Sequence, residues 1–128
     1  MKAINIKFIP IQQMRMKGGL GDYWETDNSW EFRIADTGNP YYNMAITQHE
    51  LHEWLRAVIQ DKIPEPLIQE YDEAHEDSDD PGFLPDCPIR KHHAEATSIE
   101  MLSIVLTGHF WPDYEARLDE MQKEVWGE

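Results

Sequence analysis

SWEFRIADTGNPYYNMAITQHELHEWLRAVIQ, residues 29–60, contains the change of period that decides the fold. Over 29–35 apolar residues alternate, with Trp30, Phe32 and Ile34 on one side, which is the pattern of a half-buried strand. Asp36-Thr37-Gly38-Asn39-Pro40 is a cluster of turn formers. From Tyr41 to about Gln60 the pattern becomes helical, and Leu51, Leu55, Val58 and Ile59 are expected to form its apolar face. Ile63-Pro64-Glu65-Pro66 then breaks the helix, because proline lacks the N–H that would continue it.

Working outward, residues 2–9 (KAINIKFI) also alternate, placing Ile4, Ile6 and Phe8 on one face of a first strand that Pro10 limits. KGGLGD at 17–22 is a glycine-rich loop; no Gly-Lys-Ser/Thr follows it, so it is not a phosphate loop. A further strand is expected near Tyr23–Trp24. Beyond the first helix the chain predicts a short helix over about 66–76 with Leu67, Ile68 and Tyr71 inward, then an irregular stretch over 77–88 broken by three prolines and a glycine. A third helix is expected over about 89–107, with Thr107-Gly108 as its end, and a fourth over about 112–125, opened by Pro112. The expected class is α+β: one domain, residues 1–128, with a small N-terminal antiparallel sheet or hairpin followed by three to four packed helices.

The 128 residues (15.1 kDa) carry 25 acidic and 11 basic side chains, a formal charge of −14. Residues 63–89 hold nine acids and no base, residues 113–128 are net −4, and residues 1–62 are nearly neutral. This balance argues against direct nucleic-acid binding, which needs Lys and Arg on the phosphates, and against an anionic membrane surface. The single cysteine, Cys87, excludes an internal disulfide framework and four-thiolate zinc sites. No apolar run approaches the roughly 20 residues of a membrane span, and the start lacks a signal-peptide pattern. A cytoplasmic setting is the expectation.

The chemistry is concentrated in His49-Glu50-Leu51-His52-Glu53. Helix positions four apart differ by about 40°, so His49 and Glu53 point the same way and can grip one ion. Glu50 lies about 100° round the helix, beside such an ion. In H-E-x-x-H zinc peptidases the first and fifth residues are ligands and the Glu is the base that deprotonates water. Here the fifth residue is Glu53; a carboxylate is an acceptable zinc ligand and makes the site more tolerant of manganese or iron. On the third helix Ile89, His93, Ala96, Thr97, Glu100 and Ile104 share a face, whereas His92 points elsewhere. The expected ligands are therefore His49, Glu53 and His93, with zinc as the expected cofactor and Glu50 as the base. Glu100 is expected as a fourth ligand or as an acceptor holding His93, and Asp72 is a further candidate.

Other residues read more plainly. His52 and His75 suit the surface, and His109 the turn between the last two helices. Asp72, Asp77, Asp79 and Asp80 suit a solvated acidic loop; a calcium loop over 72–83 fails because its glycine and final glutamate are misplaced. Cys87 reads as a small structural residue. Trp24, Trp30 and Trp54 read as core, since no basic groove accompanies them as a stacking platform would require.

Taken together, Gly21-Asp22-Tyr23-Trp24, His49-Glu50-x-x-Glu53, Tyr71-Asp72, Asp80-Pro81 and Cys87-Pro88-Ile89-Arg90-Lys91-His92-His93-x-x-Ala96-Thr97-x-Ile99-Glu100 resemble a family of small, uncharacterised bacteriophage and prophage proteins. The resemblance covers about residues 2–106. Tyr71 and Ile89 stand where that pattern has Phe and Tyr, and the acidic stretch Glu76–Phe83 is an insertion. The resemblance implies a phage-associated protein of the bacterial cytoplasm with a minimal zincin-like strand-then-helix arrangement, and it singles out His49, Glu50, Glu53, Asp72, His93 and Glu100. Three functions fit the residues. The first is a metal-dependent hydrolase of metallopeptidase type. The second is an acidic nucleic-acid mimic that inhibits a host enzyme through a basic protein partner. The third is an all-α magnesium-dependent nucleotide pyrophosphohydrolase, which the loose Glu50/Glu53 pair suits but the N-terminal strands oppose.

Overall fold

In a computed structural model, which describes residues 2–78 and 80–127, the chain is α+β, with three strands preceding four helices. Asp79, read above as part of the acidic loop, lies outside the described residues. The strands are β1 (Ala3–Ile9), β2 (Gly21–Glu25) and β3 (Ser29–Ala35), in the order β1-β3-β2. β2 and β3 form an antiparallel hairpin whose turn is held by Thr26, its hydroxyl accepting from the Ser29 N–H at 3.0 Å. β1 pairs with β3 in parallel, from Ala3 opposite Ser29 to Ile9 opposite Ala35. The sheet is thus mixed, and the antiparallel expectation is corrected for β1. After β1 the chain crosses the sheet end and skips one place before β2. β3 folds back into the gap, which makes it parallel to β1. Ile11 and Met14 pin that crossing by packing with Ala35 and Met121.

Helix α1 (Pro40–Glu53) begins at a cap the turn cluster supplies: the Asn39 side-chain oxygen Oδ1 accepts from the Tyr41 and Tyr42 N–H groups at 2.9 and 3.3 Å, and Pro40 occupies the first turn. Directly after Glu53 the helix widens, and Trp54–Gln60 is π-helical, a rare form that tends to occur at functional sites. Helices α2 (Glu65–Ala74), α3 (Arg90–Leu106) and α4 (Trp111–Trp126) follow, with a short 3₁₀ turn at Pro81–Phe83. Gly108, at φ 80°, marks the end of α3. α3 lies antiparallel against α1: Glu95 reaches His52 and Arg56 near one end, and His109 stacks on Tyr41 and Tyr42 near the other.

The core is small and divided. Ile34, Ala45, Ile46, Ile104 and Tyr114 join sheet, α1, α3 and α4, while Tyr23, Phe32 and Trp54 join the hairpin to the π-helical turn. Cys87 is buried with Ala57, Ile68 and Ile89, as its structural reading expects. The predicted apolar face of α1 is half corrected. Leu51 and Val58 pack on the core, but Leu55 is 51 % exposed and Ile59 is exposed too. What α1 buries instead is Asn43, Thr47, His49, Glu50 and Glu53 among its small apolar residues. On α2, Ile68 is buried but Leu67 is 52 % exposed. Trp54 is core; Trp24 and Trp30 are half-buried, with the Arg15 and Arg33 guanidinium groups lying over the Trp24 ring. No helix among the described residues is long and apolar enough to cross a membrane.

Candidate metal centre

α1 and α3 bring three donor atoms to one point. His49 Nε2 lies 3.3 Å from Glu53 Oε2 and 3.3 Å from His93 Nδ1, and His93 Nδ1 lies 3.0 Å from the same Glu53 oxygen. An ion bound tetrahedrally at about 2.0–2.1 Å places its donors about 3.3 Å apart. The three atoms therefore outline one face of such a tetrahedron, and they form the cluster of potential ligands among the described residues. His49 and Glu53 come from one face of α1 by their four-residue spacing. His93 comes from the facing side of α3, where the small residues Ala96 and Thr97 allow the helices close approach.

Each ligand has its remaining polar atom held. His49 Nδ1 is 2.7 Å from Glu100, and Glu100 in turn accepts a hydrogen bond from the Tyr114 hydroxyl. His93 Nε2 is 3.0 Å from Asp80. The Tyr23 hydroxyl donates to Glu53 Oε1 at 3.0 Å. Carboxylate partners of this kind fix the ring orientation and tautomer of ligating histidines. Glu100 therefore serves His49, not His93 as expected, and Asp80 takes the role at His93. Asp80 is exposed, as expected of a solvated acid, and reaches His93 because the 3₁₀ turn that follows it carries both Phe83, edge-on to the His93 ring at 4.7 Å, and Gly82. A Cβ at Gly82 would overlap the His93 imidazole, and one at Gly21 would overlap the Glu50 carboxylate. Two glycines from distant segments thus make room for two of the expected site residues.

The electrostatics follow from burial and pairing. Burial alone would disfavour charge on Glu53, but hydrogen bonds to His49 and His93 outweigh it and hold this carboxyl at about 2. Burial likewise opposes charge on His93, but Asp80 and Glu53 raise it to about 9. His49 is raised well above the ordinary histidine range, because Glu100 and Glu53 overcome its burial. Glu50 goes the other way: burial, reinforced by the neighbouring Glu53 charge, pushes its carboxyl well up. Asp72, half-buried on α2, is raised to about 7 by burial and then by Glu53, although it does not join the three-donor cluster. Without a cation the His49 and His93 rings thus share the Glu53 carboxylate, which raises their proton affinity, while burial raises that of Glu50 and Asp72.

The other histidines stand apart. His92 is buried, its Nε2 2.5 Å from Asp61, so it points away from the centre as expected but is a structural anchor. His52 and His75 are half-buried, the latter stacked on Tyr71. Sequence reasoning missed the roles of Tyr23, Asp80, Gly82 and Tyr114. The Gly21–Trp24 and Asp80-Pro81 strings were visible signals for Tyr23 and Asp80; Gly82 and Tyr114 had none. In comparisons with known proteins, no family model matches this chain, and no curated protein or solved structure is significantly similar to it.

Proposed function

We propose that this chain binds a divalent metal, zinc in the first instance, through His49, Glu53 and His93, and uses it for hydrolysis. The observation that carries the reading is the set of three donor atoms 3.0–3.3 Å apart, with each histidine's second nitrogen on a carboxylate. A bound zinc supplies Lewis acidity and makes water a usable nucleophile near neutral pH. The protein's own contribution is orientation and proton transfer. Glu100 and Asp80 hold the two rings, Tyr23 holds the spare oxygen of Glu53, and Glu50 is the base that takes the proton from attacking water. Its position next to His49 on α1 and against Gly21 supports that role, and burial raises its proton affinity, as a base needs. The similarity of the Gly21–Trp24, His49–Glu53 and Cys87–Glu100 strings to small phage proteins supports a phage-associated, zincin-like setting in a bacterial cytoplasm.

Metal analysis of protein purified without a histidine tag tests the reading. About one zinc per chain is expected in the wild type, and none in Glu53→Ala or His93→Ala. Glu50→Gln is expected to retain zinc and lose hydrolysis of chromogenic ester and peptide substrates. A folded wild type that takes up no metal overturns the proposal. One observation favours a second reading, the acidic mimic with a basic protein partner. Among the described residues, the carboxylates of the 63–89 segment make ion pairs with only Arg15 and His93, and Glu70, Glu73, Glu76 and Asp77 face solvent. Salt-sensitive binding to a basic protein, unchanged in Glu50→Gln and in chelator, distinguishes it.

A further inference from the structure

Helix α2 turns one face toward the sheet and the α1–α3 centre. Glu65, Ile68, Gln69 and Asp72 follow one another at helical spacings, so they share that face. Three of them have partners: Ile68 is buried with Ala57, Cys87 and Ile89, and the Arg15 guanidinium bonds to Glu65 at 3.2 Å and to Gln69 at 2.9 Å. Asp72 has none. Its carboxyl makes no hydrogen bond or ion pair among the described residues, although it is half-buried and within electrostatic reach of Glu53, His93, Asp22 and Asp80. Glu50 matches it on α1: the residue is nine-tenths buried, and its carboxyl is likewise unpartnered among the described residues. The Tyr23 hydroxyl lies within reach of Glu53, Glu50 and Asp72 together, which places both unpartnered acids beside Glu53. Among the described residues the side-chain atoms that are both sealed and unpaired are Trp54 Nε1 and His92 Nδ1. The oxygens of Glu50 and Asp72 therefore meet open space, not packed protein.

Open, unpaired carboxyls beside an ion site call for a positive group. Arg15 cannot supply it, because Asp22, Glu65 and Gln69 already engage its guanidinium, which also lies over the Trp24 ring. A second metal ion is disfavoured by spacing. His49, Glu53 and His93 are the one group of three donors within 4.8 Å of one another among the described residues, and a bound ion needs donors about 3.3 Å apart. Two carboxyls set farther apart suit an ammonium group, which holds its acceptors at hydrogen-bond length. An anionic substrate is disfavoured too, since no lysine or arginine faces Glu50 or Asp72 among the described residues. We propose that Asp72 anchors a free amino group on the substrate, so that the centre hydrolyses amides and esters bearing a primary amine close to the carbonyl. This rests on the reading of the centre as a metal-dependent hydrolase. Glu50 remains the base: the oxygen of water joins the carbonyl carbon, the C–N or C–O bond breaks, and the proton Glu50 took from water passes to the leaving group. Asp72 takes no part in these bond changes; it pairs with the ammonium and so fixes which carbonyl is presented.

Leucine p-nitroanilide and its N-acetyl derivative, given to the full chain with zinc, test the proposal. The free amine is expected to be hydrolysed with about tenfold greater kcat/KM, the worth of one charge-assisted hydrogen bond, and the gain is expected in KM. In Asp72→Asn that ratio is expected to fall toward one, with zinc content and circular dichroism retained. Binding gives a readout that needs neither zinc nor turnover. Leucinamide titrated into chelator-treated wild type is expected to bind about tenfold more tightly than N-acetylleucinamide, and Asp72→Asn to erase the difference. Equal handling of the amine and acetylated forms in both assays overturns the proposal and leaves the metal reading standing. An amine advantage that survives Asp72→Asn also overturns it, as does uptake of a second zinc that Asp72→Asn removes. A chain that takes up no zinc overturns the metal reading, and the leucinamide titration then decides by itself whether Asp72 holds an amine. Both wild-type comparisons stand even if the variant fails to fold.

Discussion

The facing surfaces of α1 and α3 enclose His49, Glu50 and Glu53, with His93 half-buried, beside small residues, while β1, on the sheet the same α1 covers, leaves Ile4, Ile6 and Phe8 partly exposed. Each region inverts the ordinary sorting of side chains, and for different reasons. The polar set is largely paired within itself: Glu53, His49, His93, Glu100, Tyr23 and Tyr114 bond to one another, and the exposed Asp80 closes on His93, so the cost of removing these groups from water is offset by charge-assisted contacts. The edge strand is paired on one side only: Asn5 bonds to Glu31 and Ile9 packs on the core, but Ile4, Ile6 and Phe8 stay partly exposed. Polar groups kept inside are held by one another, whereas an edge strand has a neighbour on one side alone.

The comparison breaks most visibly at Glu53. Glu53→Ala removes the carboxylate that His49 and His93 share in a largely buried place, and breaking a buried charged set in this way typically costs about 3–5 kcal/mol. Denaturant unfolding in chelator is expected to show that loss, and metal analysis the loss of the ion. Gly21→Val should come next. Its side chain enters the space of the Glu50 carboxylate, and overpacking of this kind costs about 1–3 kcal/mol, read as a lower unfolding midpoint.

Metal-free protein should also show a pH signature. His93 is raised in the fold to about 9, so its contribution is fully present below its unfolded value of about 6.5. That contribution is lost as pH rises through about 9. Glu53 is lowered to about 2, so its contribution is present above about 4.5 and lost as pH falls toward 2. Thermal midpoints measured in chelator should therefore fall on the acid side through Glu53 and on the alkaline side through His93, with the raised Asp72 and Glu50 carboxyls starting the alkaline decline above about 4, and saturating zinc should flatten the alkaline limb. A smaller effect is expected of Tyr114→Phe, which removes the hydroxyl that holds Glu100 on His49. Zinc affinity should fall about tenfold, at the lower end of what such supporting partners contribute, with ligand stoichiometry retained. Smallest of all, Phe8→Ser should leave monomer stability within about 0.5 kcal/mol, because the ring is half in water already.

Much of the candidate centre was legible because it rests on helical geometry. A spacing of four puts His49 and Glu53 together whatever surrounds them, and the run from Ile89 to Ile104 places His93 and Glu100 on one face with small residues between. The partners that fix these side chains were harder to read. Glu100 lies 51 residues from His49 in the chain, Asp80 13 from His93, and Tyr23 30 from Glu53. The apolar face of α1 misled for a related reason. Hydrophobic periodicity assumes that what is buried is apolar, and here the buried face carries the chemistry, leaving Leu55 and Ile59 outside.

By itself the sequence determined the order of strands and helices, the turn cluster Asp36–Pro40 between β3 and α1, the absence of any long apolar span, and the side on which each site residue stands relative to its own helix. These are local properties, set by backbone period and by the few residues that can start or stop it. Tertiary structure decided which faces meet. It inserted β3 between β1 and β2 and so made the sheet mixed, turned Glu100 to His49 and Asp80 to His93, used Gly21 and Gly82 as clearances, and left the β1 edge open. Contacts of that kind depend on segments far apart in the chain, and no local pattern encodes what will stand opposite a side chain once the chain has closed on itself.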